Sequence, residues 1–296
     1  MSYRLSLESP APDAVRAVAR ERAEHALRAL RETAPGDPAT AVHDVRKDAK
    51  KLRALLRLLQ PAIDPRLRRS ENREIAGIAR QLSGSRDADV LAGLAADLRE
   101  RAVGQAPETT FVAVHDALAA RVDGTGGLDG QVPAAAAQLE ALVARIDAWP
   151  LDDVRRGTLI AGLERSYRRG RDELARVRRR PGDPERLHEW RKRVKDLWYQ
   201  QRLLRDAWPG VMKAQAAELD ELGELLGDDH DLAVLRDELT APDGVGAGIA
   251  ADLEPVVAAI DDRRAELQGR ALAVGARVYA EKPSAFARRH RAYLRA

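Results

Sequence analysis

Apolar residues recur every three or four positions through nearly the whole chain, as at Val45, Ala49, Leu52, Leu56 and Leu59. Gly, Pro and Asp signals such as Pro35-Gly36-Asp37-Pro38 and Pro181-Gly182-Asp183-Pro184 break the pattern into segments. That period belongs to amphipathic helices, and no alternating run of useful length marks a strand. The spacing predicts helices near 11–33, 38–60, 65–82, 86–102, 108–121, 133–148, 151–180, 184–207, 210–227, 230–241, 250–280 and 283–295. The Gly-rich stretch from Asp123 to Pro133 reads as the most loop-like segment.

The chain also resembles itself at a shift of about 145 residues, a period that marks a duplicated domain rather than a solenoid. Gly36-Asp37-Pro38 leads to His43-Asp44-Val45-Arg46-Lys47, and Gly182-Asp183-Pro184 leads to His188-Glu189-Trp190-Arg191-Lys192. Leu82-Ser83-Gly84-Ser85-Arg86-Asp87 is answered by Leu226-Gly227-Asp228-Asp229-His230-Asp231. The predicted fold class is all-α, with two pseudo-symmetric helical bundles over 1–150 and 151–296 that join near Trp149-Pro150.

In both repeats an Asp precedes a Pro, the arrangement of an N-cap followed by a first helical position that lacks an N–H. His43 and His188 then fall in first turns. At ~100° per residue, His43, Arg46, Lys47, Lys50 and Arg57 share one face, with the apolar set from Val45 to Leu59 opposite. The second repeat projects His188, Arg191, Lys192, Lys195 and Arg202 onto one face, Tyr199 among them, with Trp190, Val194, Leu197 and Leu204 opposite. Asp44, Asp48, Glu189 and Asp196 project to the flanks, so the arcs read as unmixed cationic faces. One charged stripe is an ordinary solvated face; two matching ones, whose like charges repel until a counter-charge arrives, point to a polyanion. The preceding helices add Arg165, Arg168, Arg169 and Arg171 around Tyr167, and Arg16 and Arg20 in the first half. The C-terminal Lys282, Arg288, Arg289, Arg291 and Arg295 extend the groove or coat the surface. Asp87 and Asp231 read as caps or ion-pair partners at the starts of helices that follow Gly-containing turns.

Composition narrows the chemistry. With no cysteine there is no disulfide framework, thiolate metal site or Cys nucleophile. The start Met1-Ser2-Tyr3-Arg4 lacks a secretory pattern, and no run is apolar for the ~18 residues of a membrane span, so a cytoplasmic location without membrane partners is expected. The net charge of +3 is a difference between 50 basic and 47 acidic residues, so where the charges sit matters more than their sum.

Val42-His43-Asp44-Val45-Arg46-Lys47 through Lys50-Lys51-Leu52-Arg53, and Leu187-His188-Glu189-Trp190-Arg191-Lys192 through Lys195, resemble the two His-containing helices of the CHAD domain, the conserved histidine α-helical domain. The Leu-Gly-x-x-x-Asp segment at 226–231, its counterpart at 82–87 with Ser83 in the Gly position, and Tyr279-Ala280-Glu281-Lys282-Pro283 resemble further signatures of that family. The resemblance implies two bundles around a central basic groove that binds inorganic polyphosphate, often at polyphosphate granules beside granule proteins. The groove would hold His43, Arg46, Lys47, Lys50, His188, Arg191, Lys192 and Lys195, with Arg57, Arg165, Arg169 and Arg202 as further candidates.

Polyphosphate has no bases, so its affinity must come from many Lys and Arg contacts and from counterion release, and stacking platforms are unnecessary. The chain is therefore read as a binding module and not an enzyme, with no metal or cofactor. Two alternatives compete with this reading. The His43-Asp44 and His230-Asp231 doublets could suggest a metal-dependent phosphohydrolase, but Arg46, Lys47 and Lys50 on the His43 face would repel a cation. Nucleic acid would bind any basic groove weakly at low salt, yet no reading motif is present. Neither a phosphate-binding Gly-x-x-x-x-Gly-Lys-Ser/Thr loop nor a Ser nucleophile motif occurs.

Overall fold

In a computed structural model, residues 3–82, 86–101, 107–122, 130–249 and 252–295 are described. Eleven α-helices occupy them: α1 (Ala11–Arg28), α2 (Pro38–Leu58), α3 (Pro65–Gln81), α4 (Arg86–Arg101), α5 (Glu108–Val122), α6 (Val132–Asp147), α7 (Arg156–Arg179), α8 (Pro184–Leu203), α9 (Pro209–Thr240), α10 (Glu254–Val278) and α11 (Pro283–Tyr293). The all-α class is as the periodicity predicts, with no strand among the described residues. None of these helices is long and apolar enough to cross a membrane.

The two His-bearing helices begin as their sequences dictate. Asp37 accepts a hydrogen bond from the Thr40 amide (3.0 Å) and Asp183 from the Arg186 amide (3.2 Å), with Pro38 and Pro184 next in line. The turn before α8 runs through Gly182 at φ +80°, a left-handed conformation that glycine adopts without a Cβ clash. Val45, Ala49, Leu52, Leu56 and Leu59 of the first repeat, and Trp190, Val194, Leu197 and Leu204 of the second, are all buried.

Three element predictions need correction. The two helices expected over 210–227 and 230–241 are one helix of 32 residues, Pro209–Thr240, without the turn expected at 226–231. Gly223 and Gly227 stay helical because Leu222, Leu225, Leu226, Leu232 and Leu235 bury on both sides of them, and that packing outweighs a glycine cost of about 1 kcal/mol each. His230 and Asp231 therefore lie mid-helix, and Asp231 is not a cap. Helix α7 starts at Arg156 rather than 151, after a turn in which the Val154 amide bonds the Leu151 carbonyl. Beyond Leu203, α8 gives way to a 3₁₀ turn, Arg205–Ala207. Residues 83–85, the side chains of Arg86 and Asp87, and residues 123–129 lie outside the described residues, and with them the expected cap at Asp87 and most of the Gly-rich loop.

Helices α1, α2, α3 and α6 pack on one another, as do α7 to α11. The hairpin α4–α5 rests on α9 and on the 3₁₀ turn Val245–Gly248. Helix α2 meets both α7 and α8, and one continuous apolar cluster runs from Tyr3 to Leu294. That contact brings the two His-bearing helices side by side.

Candidate functional site

Four interactions fix α2 against α8. The fully buried Gln200 of α8 donates to the Ala54 carbonyl of α2 at 3.1 Å. Arg57 of α2 meets Asp196 of α8 at 2.8 Å. The N-terminal segment bridges the pair, with the Tyr3 hydroxyl on the Lys51 carbonyl (3.0 Å) and the Leu5 amide on the Leu203 carbonyl (2.8 Å).

Where the helices diverge they enclose a cleft of about 790 Å³. His43, Arg46, Lys47, Lys50, Arg53 and Arg57 line it from α2, and Glu189, Arg191, Lys192, Arg193, Lys195, Asp196, Trp198 and Tyr199 from α8. Asp220 and Glu224 of α9 complete the wall. Among the described residues nine guanidinium or ammonium groups thus face four carboxylates.

Eight of the twelve residues singled out from the sequence are brought together here: His43, Arg46, Lys47, Lys50, Arg57, Arg191, Lys192 and Lys195. The other four sit elsewhere. Arg165 and Arg169 of α7 line an adjoining niche with Arg57, Gln60, Ser166, Arg193 and Asp196. Arg202 lies over the Trp198 ring, 4.5 Å from its centroid. His188 packs against His230 of α9, with ring centroids 4.1 Å apart and the rings tilted by 31°, and is not among the cleft-lining residues. Tyr199 is buried, with its ring edge-on to Tyr3, and burial pushes its phenol up to about 12.

The unmixed cationic arc also needs correction. Lys192 pairs with Glu189 at 2.6 Å, and Lys195 with Glu224 at 2.7 Å and Asp220 at 3.4 Å. Asp196 takes Arg193 at 3.3 Å as well as Arg57. A single-helix projection places Asp196 and Glu189 on the flank of α8, but α2 and α9 pack along those flanks and turn them into walls of the site. Arg53, missed as a site residue, was legible at seven residues from Arg46, two turns on the same face. Arg193, Asp220 and Glu224 reach the cleft only through tertiary crossing, which no local spacing encodes.

Crowded cations shift one another. Arg53 is lowered by burial and by Arg57, and Arg169 by burial and by Arg193. Burial raises the Asp196 carboxyl, opposed by Arg57, Arg193, Arg53 and Arg169. His188 is pushed down to about 4, first by burial and then by His230, Lys192 and Arg191. Such a surplus of positive charge in a partly desolvated cleft attracts anions more strongly than the same groups on an open surface.

The CHAD domain family matches residues 17–240 of this chain. A solved structure described as the CHAD domain from the plant Ricinus communis aligns over 100% of this chain and 94% of that one, with a TM-score of 0.53 and 18% sequence identity. At that identity the likeness speaks for the fold alone. No curated protein matches the chain.

Proposed function

The chain belongs to the CHAD domain family, and on that premise we propose that it binds inorganic polyphosphate along the cleft between α2 and α8. The observation that carries the reading is the excess of nine cations over four carboxylates around one cleft. Arg46 and Arg191, Lys47 and Lys192, and Lys50 and Lys195 stand 145 residues apart in the chain and line the same cleft. We take these pairs as the product of an internal duplication over 1–150 and 151–296, with the two halves related by a pseudo-two-fold axis through a central basic groove.

A phosphate chain offers closely spaced oxygens and no bases, which suits a wall of guanidinium and ammonium groups. The Trp198 ring is already covered by Lys195 (4.8 Å to the centroid) and Arg202 (4.5 Å), which favours a ligand that needs no stacking platform. The function proposed is binding rather than catalysis. It takes place in the cytoplasm, at polyphosphate granules and beside their proteins.

Competition at physiological salt tests the reading, with long-chain polyphosphate set against single-stranded DNA, RNA and heparin. Polyphosphate should win. Nine phosphate contacts at about −0.7 each predict a log-log salt slope on the order of −6. A flat salt response, or a preference for nucleic acid, would overturn the proposal.

A further inference from the structure

Helices α8 and α9 meet along three matched steps. The His188 ring lies on the His230 ring, the Arg191 side chain crosses α9 at Gly227, and the Lys195 side chain crosses it at Gly223. A Cβ placed on Gly223 would stand 2.7 Å from Lys195 Cε, 2.9 Å from Nζ and 3.0 Å from Cδ. One on Gly227 would stand 3.2 Å from Arg191 Nη2 and 3.3 Å from Nε. Lys195 therefore could not lie where it does if residue 223 carried a side chain, whereas Arg191 would need to yield only by a few tenths of an ångström.

Backbone conformation gives no reason for either glycine. Among the described residues only Gly182 has a positive φ, and both glycines sit inside a regular helix where alanine is favoured by about 1 kcal/mol. The reason left is space. Without a Cβ at 223, the Lys195 stem lies flat on α9 and its ammonium is held between Glu224 (2.7 Å), Asp220 (3.4 Å) and the Trp198 ring. A lysine held in this way has already lost most of the rotamer freedom that binding would otherwise remove.

We propose that Gly223, and to a lesser degree Gly227, are positioning residues for the polyanion: the missing side chains seat Lys195 and Arg191 across α9 and hold their charges at the cleft wall. The assignment rests on the polyphosphate reading of the cleft. It also supplies a role for the Leu226-Gly227 signature, which the structure does not use as a turn.

Gly223→Ala separates seating from fold, because the clashing atoms are the far end of a flexible side chain. The expected result is an unchanged or raised Tm together with about three- to tenfold weaker polyphosphate binding, taking about tenfold per 1.4 kcal/mol as the scale. The salt slope should become shallower by about 0.7. Gly227→Ala should weaken binding by about twofold or less. In a Lys195→Met background Gly223→Ala should have no further effect on affinity.

A ligand-free readout keeps the two proposals apart. Labelling of Lys195 by an amine-reactive acetylating reagent, followed by mass spectrometry, should be several-fold faster in Gly223→Ala because the ammonium is released from its seat. If the wild-type protein does not bind polyphosphate, the functional reading falls, and the labelling rate still decides whether Gly223 seats Lys195. If the wild type binds but Gly223→Ala leaves affinity and labelling unchanged, or lowers the Tm by several degrees, the assignment of Gly223 is overturned.

Discussion

His188 and His290 each stand in surroundings that disfavour the imidazolium. His188 is pushed down to about 4 by burial, His230, Lys192 and Arg191, and His290 to about 4 chiefly by burial. The neutral His290 donates from Nδ1 to the Phe286 carbonyl at 2.8 Å, which leaves Nε2 to accept from Gln201 at 3.2 Å. Both folded-state values lie below the ordinary 6.5. Their stabilising effect is thus complete above 6.5 and is lost as pH falls from 6.5 towards 4. The capping carboxylates lie below their ordinary 3.8, Asp37 through hydrogen bonds from the Thr40 side chain and then its amide, Asp64 and Asp183 chiefly through hydrogen bonds from helix amides, so their contribution fades only at more acid pH. Burial lowers His230 as well, so thermal unfolding followed from pH 7 to pH 4.5 should show a falling Tm, and the fall should be shallower in His188→Gln. Parallel curves for wild type and variant would show that His188 does not titrate in this window. The sequence marked His188 as a candidate ligand for phosphate, since it shares a face with Arg191 and Lys195. What it could not mark was the facing His230, which lies 42 residues away on another helix.

Within single elements, what the sequence encodes locally was legible. The Asp-Pro starts of α2 and α8 and the buried stripes opposite the cations follow from spacing within one helix, as does the first arc from His43 to Arg57, whereas of the second arc only Arg191, Lys192 and Lys195 reach the cleft. The continuity of α9 did not follow, because two glycines and a run of Asp read as a stop while the leucines that hold the helix together are paired with other elements. The acidic lining was hidden for the same reason: Asp220 and Glu224 face the cleft only because α9 crosses α8. Asp196 shows what such a crossing does energetically. It sits between Arg57 and Arg193 with a side chain only 12% exposed. Removing it leaves two desolvated guanidiniums without their carboxylate. Asp196→Ala should therefore cost about 3 kcal/mol in chemical denaturation, against about 1 kcal/mol or less for Glu189→Ala, whose pair with Lys192 is half exposed. Equal small losses would mean that Arg57 and Arg193 find water or other partners, and that Asp196 is no joint between α2 and α8.

At the scale of the molecule, α2 is held by α7 as well as by α8. A Cβ on Gly162 of α7 would fall 1.8 Å from the Leu58 carbonyl oxygen and 2.7 Å from its carbon, both backbone atoms at the end of α2. A backbone carbonyl cannot swing aside as Lys195 can, so Gly162→Ala has to push one helix off the other. The displacement would open the joint formed by Arg57 and Asp196, next to the niche of Arg165 and Arg169. An overpacking penalty of about 1–3 kcal/mol set against about 1 kcal/mol of gained helix propensity leaves a net loss of up to about 2 kcal/mol and predicts a lowered Tm, with weaker polyphosphate binding in the surviving fold. Gly77 of α3 and Gly269 of α10 meet nothing within 4 Å of a Cβ, and the same substitution there should leave Tm unchanged or raise it. Glycine to alanine at helix positions 77, 162, 223 and 269 thus predicts different signs for stability and binding, though the sequence presents the four residues alike. If Gly162→Ala raised Tm as Gly269→Ala does, α7 could not cross α2 as closely as the approach of Gly162 to the Leu58 carbonyl requires.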